Sequence, residues 1–115
     1  MRASKRDGKH QQNILYEGSK GYVVYCSCCK IFHIAYGTLS FDQTEKDLLK
    51  FIDILSHNYK QYGGIVNPNC RCVQILTPFK GFRFLFSTNE LKELNEILNQ
   101  AYLLYEAERI MNSKD

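Results

Sequence analysis

Five cysteines fall in two tight groups, Cys26-Ser27-Cys28-Cys29 and Cys70-Arg71-Cys72, and carry the clearest chemical signal in the chain. A thiolate is a soft ligand that suits zinc, and four of them complete a tetrahedral site. The opening residues MRASKRDGKH have no apolar stretch behind their charges, so an export signal is not expected. In the reducing cytoplasm that follows from this, clustered thiols serve metal or redox chemistry rather than a disulfide framework. An odd number of cysteines also fits poorly with simple pairing.

Residues two apart on a strand point to the same face, so the spacing predicts that Cys26 goes with Cys28 and Cys70 with Cys72. In the second group's hairpin the alternating set Val73, Ile75, Phe82, Phe84 and Phe86 should face the helices, which turns Cys70 and Cys72 the other way. In the first hairpin a two-residue loop at Cys29-Lys30 would pair residue 28 with 31 and 26 with 33. Val23, Tyr25, Phe32, Ile34 and Tyr36 then face the helices, while Cys26, Cys28 and His33 point away. Both thiol pairs emerge on one side of the sheet, which makes Cys26, Cys28, Cys70 and Cys72 the expected zinc ligands.

Distances strain that assignment. Zinc–sulfur bonds of about 2.3 Å put tetrahedral sulfurs about 3.8 Å apart, whereas alternate strand positions are separated by about 6.8 Å. A C-x-x-C turn solves the problem more naturally, and Cys26 with Cys29 forms one, so Cys29 is an alternative ligand. His33, cross-strand from Cys26, is another. The rival chemistry is a thiol redox protein with a low-pKa nucleophile in the CxCC cluster, but Lys30 alone supplies positive charge beside it. Cysteine is also a small, often buried apolar residue, and burial alone is the bland explanation for any one of the five.

The elements that must position these thiols read as α+β. YVVYCSC and IFHIAY are β-branched and aromatic, the pattern of a hairpin. Asp42 stands three residues before Glu45, a capping-box spacing, and Leu48, Ile52, Leu55, Tyr59 and Tyr62 follow as one stripe of an amphipathic helix stopped by Gly63-Gly64. The plan recurs: CRCVQIL, a turn, FRFLFS, then Ser87 three before Glu90 and the stripe Leu91, Leu94, Leu98, Ala101 and Tyr105. The expected fold is ββαββα, a mostly antiparallel four-stranded sheet with two helices on one face. A Cys-x-Cys in the first strand of each half suggests a diverged internal duplication. Residues 1–20 read as a largely disordered basic tail, and 21–112 as one α+β domain.

Composition narrows the function. The net charge is +3, and Arg2, Lys5, Arg6 and Lys9 against Asp7 account for all of it, so the folded body is neutral and lacks the footprint of a nucleic-acid binder. No apolar run is long enough to span a membrane. No Ser-His-Asp series, phosphate-cradling glycine loop or HExxH is present, so the reading is non-enzymatic.

CSCCKIFHIAYGTLSF together with NCRCVQILTPFKGFRFLFS resembles a family of small uncharacterised bacterial proteins of the Bacteroidetes type, over residues 20–111. The resemblance implies a cytoplasmic bacterial protein and brings no activity with it. The cysteine-bearing face of the sheet should also carry Tyr22, Val24, Ile31, Ala35, Leu76 and Leu85, more apolar surface than a monomer usually exposes. A homodimer or another protein is therefore expected on it, with Asn13–Glu17 folding back through Ile14 and Leu15 as the alternative cover.

Overall fold

The computed structural model describes residues 12–77 and 80–113. The basic stretch before them and Pro78-Phe79 lie outside the described residues. Six strands and two helices follow in the order β1 (Gln12–Gly18), β2 (Gly21–Cys26), β3 (Ile31–Tyr36), β4 (Leu39–Gln43), α1 (Glu45–Tyr62), β5 (Val73–Leu76), β6 (Arg83–Phe86) and α2 (Thr88–Ser113). The class is α+β, as the sequence predicts. The four-stranded sheet is β1-β2-β3-β4, however, and β5-β6 form a separate two-stranded sheet. The chain folds as two compact units, Met1–Leu49 with Ile97–Asp115, and Lys50–Glu96.

In the first unit, β2 and β3 are the expected hairpin, and each gains an outer partner. Residues 12–18, expected to belong to a largely disordered tail, pair antiparallel with β2. The ladder slips between Ile14 and Tyr16, so Leu15 is the extra residue of a β-bulge. Leu15 is buried while Ile14 is 57% exposed. The segment thus extends the sheet edge instead of folding over its face. β4 follows β3 through Gly37-Thr38, and Gly37 has a φ of 59°, the first-position glycine of a two-residue hairpin turn. Gly21 answers a different demand: a Cβ there would sit 1.9 Å from the Ala35 carbonyl oxygen, so only glycine lets these backbones approach.

The buried face of this sheet is the predicted one. Val23, Phe32, Ile34 and Tyr36 are buried, and Tyr25 is half-buried. The far half of α2 covers it. The Tyr105 ring lies 4.8 Å from Tyr25 and 4.9 Å from Phe32, centroid to centroid, in edge-on geometry. Leu98 and Ala101 of the same helix are fully buried. Helix α1 starts two residues later than the capping pattern at Asp42 suggested. Thr44 is the N-cap, accepting from the Asp47 N–H at 3.2 Å, while Asp42 stays in β4 opposite His33.

In the second unit Phe51 and Leu55 of α1, Val73 and Ile75 of β5, Phe86 of β6, and Leu91 and Leu94 of α2 are buried. The Phe51 and Phe84 rings meet edge-on at 6.2 Å. Phe82, expected among the helix-facing residues, precedes β6 and is exposed. Ser87 and Glu90 form the reciprocal capping box that their spacing predicts. The Ser87 N–H donates to Glu90 Oε1 at 2.9 Å, and the Glu90 N–H donates to Ser87 Oγ at 3.1 Å.

Candidate metal centre

Cys26 is the last residue of β2 and pairs with Ile31, so Ser27-Cys28-Cys29-Lys30 make a four-residue turn rather than the expected two-residue one. The Lys30 N–H closes it by donating to the Cys26 carbonyl at 2.7 Å. Lys30 takes a φ of 60°, the left-handed conformation that lets the chain return into β3. The register is therefore displaced by two residues from the prediction, and a two-residue displacement keeps the residues of β2 and β3 on their predicted faces while Cys28 leaves the strand for the turn.

This fold-back does what an extended Cys-x-Cys cannot. Cys26 Sγ lies 4.0 Å from Cys28 Sγ, and Cys28 Sγ lies 3.9 Å from Cys29 Sγ. All three sulfurs fall within 4.8 Å of one another, and among the described residues they are the group able to hold a metal ion. The spacing approaches the value of about 3.8 Å that tetrahedral zinc–thiolate bonds require. Cys26 is buried, 1% exposed, whereas Cys28 and Cys29 are open to solvent. The Cys29 thiol is pushed up to about 11, chiefly by its hydrogen bonds with Cys26 and then Cys28. Neighbouring thiols resist becoming neighbouring anions, and a bound cation reverses that preference.

Cys70 and Cys72 are placed differently from the prediction. Both precede β5 instead of lying in it, and both are exposed. Asn67 shapes this stretch: its carbonyl accepts from the Cys70 N–H at 3.0 Å, and its Oδ1 accepts from the Asn69 N–H at 2.8 Å. Arg71, between the two cysteines, reaches Glu90 with two guanidinium nitrogens at 2.8 to 3.1 Å. Hydrogen bonding with Cys72 raises the Cys70 thiol. The inference that both pairs share one sheet face fails, because Cys70 and Cys72 are not strand residues and β5 belongs to another sheet. Tyr22, Val24, Ile31 and Ala35 likewise do not share a sheet with Leu76 and Leu85.

Of the predicted ligands, then, the structure joins Cys26 and Cys28, and brings in Cys29, the alternative. His33 stands apart from the trio. Its Nδ1 lies 2.7 Å from Asp42 Oδ1 across the β3–β4 ladder.

A groove of about 600 Å³ reaches the same turn at Ser27, between Tyr25 and Tyr105 and alongside Glu108 and Arg109. Arg109 donates to both carboxylate oxygens of Glu106 at 2.7 Å, and its guanidinium carbon stands 5.7 Å from the centre of the Tyr105 ring. Glu108 accepts from the Asn13 side-chain amide. Sequence spacing gave no sign of this groove, since it depends on where α2 ends beside the β1–β2 edge. No helix among the described residues is long and apolar enough to cross a membrane.

The chain belongs to a family of unknown function, DUF6686, whose model matches residues 9–115. Neither the curated proteins nor the solved structures contain a match to it.

Proposed function

We propose that this chain is a small non-enzymatic metal-binding domain that holds zinc at the β2–β3 turn and associates with another protein. The observation that carries the reading is the Cys26, Cys28 and Cys29 trio, three soft donors at zinc-like spacing on one turn. Binding there replaces thiol protons with the ion, so uptake releases protons and weakens in acid. A reducing cytoplasm is the compartment this chemistry needs. The redox alternative requires a thiol of lowered pKa, and the Cys29 thiol is displaced upward.

Association is supported by the outer face of the four-stranded sheet. Tyr22 is 44% exposed there and Val24 and Ile31 are half-buried, with Ile14 opposite Val24 on the β1 edge. A second copy on this face is the simplest cover. Sedimentation at micromolar concentration should show a dimer that Tyr22→Glu dissociates, and a monomer throughout removes this part of the reading. For the metal, the test is elemental analysis of protein purified without added ions. One zinc per chain is expected, lost on Cys26→Ser. Metal-free protein with five freely titrating thiols would overturn the proposal.

A further inference from the structure

Cys26, Cys28 and Cys29 reach their meeting point from one strand end and the turn that follows it. Zinc spreads its four bonds in all directions. A trivalent arsenic or antimony centre does not. It makes three bonds toward one side, as a low pyramid, and keeps a lone pair on the other. We infer that this turn also captures arsenous acid and its antimony counterpart, trivalent hydroxides that condense with three thiols. This use of the turn rests on the donor trio behind the zinc reading and adds a second class of ligand for the same sulfurs.

The trio is arranged as a tripod. Cys28 Sγ stands 4.0 Å from Cys26 Sγ and 3.9 Å from Cys29 Sγ, and all three lie within 4.8 Å of one another. Sulfurs already near contact distance have a short way to close onto one atom, and soft centres of this kind prefer sulfur to oxygen or nitrogen. The hydrogen bond from the Lys30 N–H to the Cys26 carbonyl closes the turn that carries them. The donors are thus gathered in advance, and little ordering is left to be done on binding. Approach from one side suits their exposure: Cys26 is buried, while Cys28 and Cys29 are open to solvent. The second cysteine group lacks the third leg. Cys70 and Cys72 lie on the approach to β5, in the other unit, and two sulfurs leave such a centre with one hydroxyl still bound.

The step is a condensation. Each S–H proton joins a departing hydroxyl, so three arsenic–sulfur bonds form, three arsenic–oxygen bonds break and three waters leave. Arsenic stays trivalent, and no electron is transferred. The Cys29 thiol, pushed up to about 11 chiefly by its hydrogen bonds with Cys26 and then Cys28, is an S–H at neutral pH. That is the form this step consumes. Zinc must displace the proton into solvent, whereas arsenous acid carries it away as water.

Mass spectrometry of the full-length chain counts the sulfurs engaged by sodium arsenite. The chain is kept reduced by a phosphine, so that no added thiol competes, and a chelator holds any zinc released. A three-sulfur adduct gains one arsenic and loses three hydrogens, whereas a two-sulfur adduct retains one oxygen. With Cys70 and Cys72 both changed to Ser, one arsenic should bind through three sulfurs. Adding Cys29→Ser, at an exposed position, should convert this to the two-sulfur form. It should also raise the arsenite needed for half-saturation at least about 100-fold, the upper end of what losing even an outer-shell partner costs a metal site. From pH 8 to pH 6 zinc affinity should fall at least about 100-fold, the effect of one displaced proton, while arsenite affinity changes by about threefold or less. A two-sulfur adduct or none in the Cys70→Ser, Cys72→Ser chain, with one zinc still taken up, overturns this inference alone. Arsenite affinity that falls in acid as steeply as zinc's overturns the condensation. A three-sulfur adduct in a chain that takes up no zinc overturns the zinc reading and leaves this one standing.

Discussion

The two cysteine groups share a Cys-x-Cys and little else. The first sits where a strand ends and doubles back, so a four-residue turn gathers three sulfurs and buries one of them. The second sits in the approach to a strand, where Asn67 and the Arg71–Glu90 pair hold an exposed stretch with two sulfurs. The same spacing yields a donor cluster in one place and two surface thiols in the other. What a cysteine motif can bind is decided by whether the backbone reverses between its members.

That contrast breaks most severely if the scaffold of the first group is removed. Phe32 is fully buried against Tyr25 and Tyr105 on the strand that receives the turn. Phe32→Ala should cost about 3–5 kcal/mol in urea unfolding and abolish metal uptake with it. Leu85→Ala, on the exposed side of β6, should stay within about 0.5 kcal/mol.

Next in size is the effect on the metal alone. Cys29→Ser removes one of three donors and should weaken zinc binding about 100-fold in a chelator competition. Replacing Cys70 and Cys72 together with Ser should leave one zinc per chain at an affinity changed by about twofold or less. Equal losses from both groups would erase the distinction between them.

A smaller effect separates how the two regions are held. The second depends on the Ser87–Glu90 box and the Arg71–Glu90 pair, and Ser87→Ala should cost about 1 kcal/mol. The Arg71 guanidinium, with help from the Ser87 N–H and against partial burial, holds the Glu90 carboxyl below the usual carboxylate range. Its folded pKa lies under its unfolded one, so its contribution is complete above the unfolded value and drains away as pH falls through the folded one. Denaturation midpoints measured from pH 7 downward should show this loss, and Glu90→Gln should flatten it.

The smallest effect is at Lys30, whose left-handed backbone glycine adopts freely. Lys30→Gly trades relief of that strain against a floppier unfolded chain, for a net gain of about 0.5 kcal/mol in thermal unfolding.

Much of this architecture was legible because alternation is robust. The buried faces of β2, β3 and β5 follow from period-two patterning, and they survive a wrong loop length because two residues restore the same parity. Loop length itself was not legible. A two-residue and a four-residue turn fit the same letters, and the difference decides whether Cys28 is a strand residue or joins Cys29 in the turn. The outer strands were hidden by polarity. Gln12–Gly18 has one deeply buried residue, Leu15, and β4 alternates Leu39 and Phe41 with Ser40 and Asp42 in a stretch that equally resembles a loop before a helix. Asp42–Glu45 and Thr44–Asp47 both satisfy the capping spacing, and only the ladder partner His33, which keeps Asp42 in the sheet, chooses between them.

The bulge at Leu15 has a consequence for how this molecule behaves at high concentration. A regular outermost strand offers its unpaired amides and carbonyls as a template on which further chains can stack without limit. Here the slip between Ile14 and Tyr16 bends that border and strengthens its local twist, so a flat incoming strand cannot run along it in register. Glu17 and Asp42 add negative charge to the two outer strands. That border of the first unit is thereby guarded against open-ended strand addition.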